Sequence, residues 1–224
     1  MKKSKNRLME DQNMKKKISI SLLFLFAIFT LSVKIIDVKA VGVNNTEIGF
    51  ATLNVFIHSF LGVNKSWYNI TEFLGVVPII IAVFFVGVGV YQFIKRKSIL
   101  KIDRDILMLG VFYIVVAISY LIFEVVVINY RPIIVDGVLE ASYPSSHTIL
   151  AICIIGTAII QVNKRIDNDK IKKFVDFVLT LVMILIVVGR LLSGVHWFTD
   201  IIGGIILSIS FVMFYSYTID YFKK

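Results

Sequence analysis

Cysteine is almost absent: Cys153 is the single one in 224 residues. With no partner it makes no intrachain disulfide, and no set of thiolates is available to hold a metal. Histidine is nearly as scarce, with three residues, and no histidines or carboxylates cluster at metal-ligand spacing. The chain shows no internal repeat and no low-complexity linker. Acidic residues are few, 15 against 24 lysines and arginines, for a formal net charge of +9. Such a balance suits nucleic acid or anionic lipid. The placement of the cations, however, argues for membrane topology and against a nucleic-acid partner.

What is abundant is apolar sequence. Hydrophobic residues make up 58% of the chain and mean hydropathy is +0.86, above the usual share of a soluble domain. They gather in blocks at Ile18–Val33, Phe73–Ile94, Ile106–Ile128, Thr148–Val162, Phe174–Gly189 and Ile201–Tyr217. At ~1.5 Å per residue the longer blocks cross a hydrocarbon core, and the shorter ones do so with flanking residues. None alternates polar with apolar as the strands of a transmembrane barrel must. The pattern predicts an all-α bundle of six transmembrane helices in 18–224, after a basic N-terminal segment 1–17.

Seven lysines and arginines precede the first block, five lie between blocks two and three, five between four and five, and two at the C-terminus. Only Lys34, Lys39, Lys65, Arg131 and Arg190 fall on the other side of a six-helix chain. The positive-inside rule then makes both termini cytoplasmic. The first block, followed by Val38-Lys39-Ala40, is similar to a signal peptide and is read as an uncleaved anchor. Between blocks one and two, 41–71 is too polar to span. Its stretch Ile48–Leu61 has helical apolar spacing suited to the outer interface, with Trp67 and Tyr68 as interfacial anchors.

Three polar islands share the outer side: Asn129-Tyr130-Arg131-Pro132, Pro144-Ser145-Ser146-His147, and Gly189-Arg190 continuing to His196 and Asp200. Together they hold the parts of a phosphoryl-transfer site. Arg131 and Arg190 offer planar forks for phosphate oxygens. The second island reads as a helix start, whose free N–H groups favour an anion. His196 and Asp200 are four apart, so on a helical turn Asp200 accepts from one ring nitrogen and the other is left to attack phosphorus. His147 is placed to protonate the leaving oxygen and then activate water.

The islands resemble the three signature motifs of the type 2 phosphatidic acid phosphatase superfamily, which also contains vanadium haloperoxidases. The third motif, Ser-Arg, five residues, His, three residues, Asp, matches Gly189-Arg190 through His196 to Asp200 in spacing; the second, Pro-Ser-Gly-His, matches Pro144–His147 with Ser146 for glycine. The motif-bearing core is 106–217. The resemblance implies a six-helix membrane enzyme in which His196 forms a phosphohistidine, Asp200 orients it and His147 is the general acid. It also implies that Arg131, Ser145, Ser146 (through its N–H) and Arg190 bind phosphate, with no metal and no cofactor. The partners are the bilayer and a lipid: phosphatidic acid, phosphatidylglycerol phosphate or polyprenyl diphosphate. A bacterial cytoplasmic membrane with the site facing outward is the expected setting.

Two positions depart from the family pattern. The lysine of the first motif falls on Glu124, which cannot bind phosphate as a cation and, two helical turns before Arg131, is expected to pair with it. The motif-three serine is Gly189. Two other readings stay open on sequence grounds: transfer of the phosphate to a second lipid, and a non-catalytic lipid-binding or transport protein, for which Glu124 speaks. Retention of His147, His196 and Asp200 speaks against the latter. Gly203-Gly204 reads as a helix-packing contact, and His58 as an interfacial or packing residue.

Overall fold

The computed structural model describes residues 2–222, and side chains from residue 9. Lys223, Lys224 and the side chains of Lys2, Lys3, Lys5 and Arg7, all counted above on the basic side, lie outside the described residues. The chain forms α1 (Lys2–Ile35), a minimal hairpin of β1 (Lys39–Ala40) with β2 (Glu47–Ile48), α2 (Ala51–Leu61), α3 (Lys65–Arg96) and α4 (Arg104–Val125). There follow α5 (Ser146–Leu150), one π-helical turn (Ala151–Ile155), α6 (Gly156–Arg165), α7 (Asp169–Leu192) and α8 (Phe198–Tyr221). With α5, the π turn and α6 counted as one span, six helices among the described residues are long and apolar enough to cross a membrane. The all-α, six-span expectation is met.

Helix starts follow local chemistry. Asn64 accepts the N–H of Trp67 and opens α3, Ser145 caps α5, and Asn168 accepts from Lys170 and Ile171 at the start of α7. Large apolar side chains face outward along the spans, among them Ile80, Val83, Phe84 and Leu121, as expected where lipid rather than water surrounds the helices. The interior packs an apolar core that includes Phe26, Phe85, Leu109, Phe112 and Leu207, and small and polar contacts join the helices within it. Ser19 and Ser210 exchange side-chain-to-carbonyl hydrogen bonds of 2.9 Å between α1 and α8. Gly203 lets Tyr143 close on α8, and Gly204 does the same for Thr148, which is the packing role read for this pair.

The start of α1 meets the end of α8, where Gln12 donates to the Asp220 carbonyl and Lys15 pairs with Asp220 at 2.8 Å. The start of α1 and the end of α8 therefore lie at one end of the bundle, and α1 takes in the described part of the basic segment. The three islands lie at the opposite end. There, α2 packs on the start of α8: Asn54 donates to Thr199 Oγ1 at 2.9 Å and accepts from the Thr199 N–H. His58 contacts the Gly194 carbonyl at 3.0 Å and the Trp197 ring, a packing role.

Trp67 and Tyr68, expected as interfacial anchors, also pack within the bundle. They belong to the first turn of α3 and pack on α7, Trp67 beside Gly189 and Tyr68 under the Arg190 guanidinium, 5.4 Å from its ring centroid. The Asn64 cap starts the helix eight residues ahead of the apolar block, and of the polar residues so included Thr71 and Glu72 both reach Arg190 of α7, Thr71 buried and Glu72 partly exposed.

Candidate active site

Each island is held by a different device. The segment after α4 runs out and back, with Tyr130 bridged to Ala141, Arg131 N–H donating to the Glu140 carbonyl, and Ser142 N–H to that of Asn129. This return presents Arg131, whose Nη2 pairs with Glu140 at 2.8 Å and whose buried Nε has no partner. At the start of α5 the Ser145 oxygen accepts from Thr148 N–H and Thr148 Oγ1, which uses it as a cap and leaves its own O–H to donate. Ser146 is the first helical residue, and its N–H is among those left unpaired at a helix start.

Arg190, in the last turn of α7, is wholly buried; its Nη1 donates to Glu72 Oε1 at 2.7 Å and lies 3.4 Å from Thr71 Oγ1. Its Nε and Nη2 have no partner. The same Glu72 oxygen lies 3.6 Å from His147 Nε2, while His147 Nδ1 is buried and unpartnered. Gly75 permits this arrangement, since a Cβ there would stand 3.1 Å from the His147 ring.

His196 occupies the loop between α7 and α8, 3% exposed. Its Nδ1 is 3.1 Å from the Ser142 carbonyl. A carbonyl only accepts, so Nδ1 carries the proton and Nε2 keeps its lone pair. Nε2 is buried without a partner. Burial holds this imidazole well below the usual histidine range, and the positive charges of Arg190 and Arg131 act in the same direction. The contact with Asp200 is looser than the sequence suggested, at 3.6 Å from Nδ1. Asp200 Oδ2 instead takes the Trp197 N–H at 2.9 Å, and Oδ1 takes Asn129 Nδ2 at 3.3 Å. The reason is local: α8 starts at Phe198, so His196 precedes the helix and the two residues do not share a helical face.

Two cavities meet at Ser146. The smaller, about 80 Å³, is walled by Arg131, Ser146, His196, Glu124 and Glu140. The larger, about 570 Å³, is an apolar groove between α3, α4 and α5 with Glu72 and His147 at its polar end. Arg131, Ser146, His147 and His196 thus line open space, whereas Ser145, Arg190 and Asp200 lie in the wall behind it. Among the described residues no group of three or more His, Cys, Asp or Glu is gathered as a metal site.

The sequence model of the PAP2 superfamily matches residues 106–224, just over half of the chain. The chain belongs to the PAP2 superfamily. Its fold is similar to the crystal structure of the first transmembrane PAP2 type phosphatidylglycerolphosphate phosphatase from Bacillus subtilis. The TM-score is 0.61 at 20% identity, covering 89% of this chain and 94% of that one. At that identity the likeness is one of fold. No curated protein matches the chain.

The two departures from the PAP2 motifs have structural correlates. Glu124 stands in the last turn of α4, which ends at Val125, so helical spacing no longer carries it to Arg131. Arg131 pairs with Glu140, which replaces the expected Glu124–Arg131 pair. A side chain at 189 would collide with Thr71 and Trp67. Glycine there lets α3 close on α7, and the Thr71 hydroxyl then reaches Arg190. Sequence reasoning missed Thr71, Glu72, Glu140 and the Ser142 carbonyl. The first two stand on α3, outside the matched region. The signal for Glu72 was a carboxylate directly before an apolar block.

Proposed function

We propose that this PAP2 protein is a metal-independent membrane lipid phosphatase, acting on a phosphate monoester or diphosphate at the extracytoplasmic face through a phosphohistidine. The observation that carries the reading is His196: Nδ1–H held by the Ser142 carbonyl, and Nε2 unpartnered on the wall of a cavity that Arg131 also lines. An imidazole fixed in this tautomer is a ready nucleophile. Arg131 and Arg190, each with unpartnered N–H groups, and the N–H of Ser146 would hold the equatorial oxygens as charge develops on them. Asp200 would act through the loop it caps and through its charge beside Nδ1.

As the Nε2–P bond forms, the bond from phosphorus to the leaving oxygen breaks and that oxygen takes a proton from His147. A water then gives its proton to His147 and attacks phosphorus, which releases phosphate and restores His196. The apolar groove beside His147 suits lipid tails. The placement of basic residues favours the face opposite the chain ends. Phosphatidic acid, phosphatidylglycerol phosphate and polyprenyl diphosphate are the candidate substrates.

The test is phosphate release from these three lipids by detergent-purified protein with EDTA present, for wild type and His196→Ala. Release that survives chelation and is lost in the variant supports the proposal. No release from any lipid by folded wild type would refute it.

A further inference from the structure

The geometry at the mouth of the apolar groove bears on which leaving group the site accepts. An in-line displacement by His196 Nε2 sends the leaving oxygen to the side of phosphorus away from His196, hence toward His147 and the groove. The first atoms of the leaving group therefore pass Glu72, whose carboxylate lies 3.6 Å from His147 Nε2. Arg190 holds Glu72 from the buried side and reduces its charge, so the pair presents its carboxylate end to the groove. The Arg190 side chain is 0% exposed, whereas that of Glu72 is 43% exposed and lines the groove. No lysine or arginine is among the residues lining this groove.

A leaving alcohol meets this surface without a charge. The leaving group of a diphosphate is itself a phosphate, which would bring its negative charge against the carboxylate end of the Glu72–Arg190 pair. We propose that the leaving-group side selects lipid phosphate monoesters over lipid diphosphates, with Glu72 as the discriminating residue. This deepens the phosphatase reading above and rests on it. In both cases the Nε2–P bond forms, the P–O bond breaks and the leaving oxygen takes the His147 proton. The product is an alcohol from the monoester and a lipid monophosphate from the diphosphate.

The experiment uses one isoprenyl tail carried as its monophosphate and as its diphosphate, in detergent micelles with the full chain. Initial rates are followed by loss of each lipid. Wild type is expected to favour the monophosphate at least tenfold in kcat/KM. Glu72→Gln is expected to narrow that ratio at least fivefold by a gain on the diphosphate, and Glu72→Asp to retain the wild-type preference. Equal or better use of the diphosphate by wild type overturns the proposal, and needs no variant to do so. A proportional fall on both lipids in Glu72→Gln also overturns it, and reduces Glu72 to a support for Arg190. Turnover of neither lipid by folded wild type, with His196→Ala no different, overturns the phosphatase reading as well.

Discussion

Replacing Gly75 by alanine separates helix stability from catalysis. Gly75 lies within α3, where an alanine is worth roughly 0.5–1 kcal/mol more than a glycine. Its added Cβ would stand 3.1 Å from His147 Cδ2 and 3.3 Å from Nε2. Relaxed carbon contacts lie at about 3.5–4.0 Å, so the imidazole must yield by about 0.4 Å to reach the near end of that range. A displacement of about 1 Å costs on the order of a hundredfold in rate, so a fraction of that corresponds to a loss of about threefold to tenfold in kcat. Gly87, on the same helix with nothing within 4 Å of its would-be Cβ, is the matched control. Gly87→Ala should gain stability and keep kcat. Gly75→Ala should unfold at or above the wild-type temperature in detergent yet release phosphate more slowly at saturating lipid. Full kcat in Gly75→Ala would show that His147 does not act from this position.

Three further outcomes follow from the same contacts. Gly203→Ala would drive a methyl to 2.6 Å from the buried Tyr143 ring, an overpacking worth about 1–3 kcal/mol; an unchanged unfolding temperature would contradict it. Asn54→Ala removes hydrogen bonds to the Gly49 carbonyl, Thr199 Oγ1 and Thr199 N–H in a wholly buried setting. It should cost about 2–4 kcal/mol and loosen the start of α8, visible as faster hydrogen exchange at Thr199. His196 is kept neutral by burial, so its titration should fall well below the ordinary histidine value of about 6.5. As pH drops below that value the unfolded chain binds a proton that the native chain refuses, and stability declines with it. Ring-nitrogen NMR showing a charged His196 at pH 6.5 would refute this.

The spans were legible because a bilayer imposes a length and an apolar composition on any helix that crosses it. A single chain displays both properties without reference to its neighbours. The islands were legible for a related reason: polar residues at the ends of apolar blocks stand out, and the spacing Gly189-Arg190, His196, Asp200 is local. Helix ends were less legible, since the Asn64 cap carries α3 back across a polar stretch and α4 stops at Val125, short of Ile128.

Sequence alone thus determined the class of protein, the six spans, the family and four of the residues that line the cavities: Arg131, Ser146, His147 and His196. Tertiary structure decided their partners. The Ser142 carbonyl, rather than Asp200, takes the Nδ1 proton of His196; Glu72, 118 positions from Arg190, holds that guanidinium; and Glu140 takes Arg131 in place of Glu124. Hydrogen bonds and ion pairs are set by distances of about 3 Å between groups far apart in the chain. The packing of α3 on α7, made close by the absent side chain at Gly189, brings Glu72 to Arg190, and the return of the chain after α4 brings Ser142 to His196 and Glu140 to Arg131.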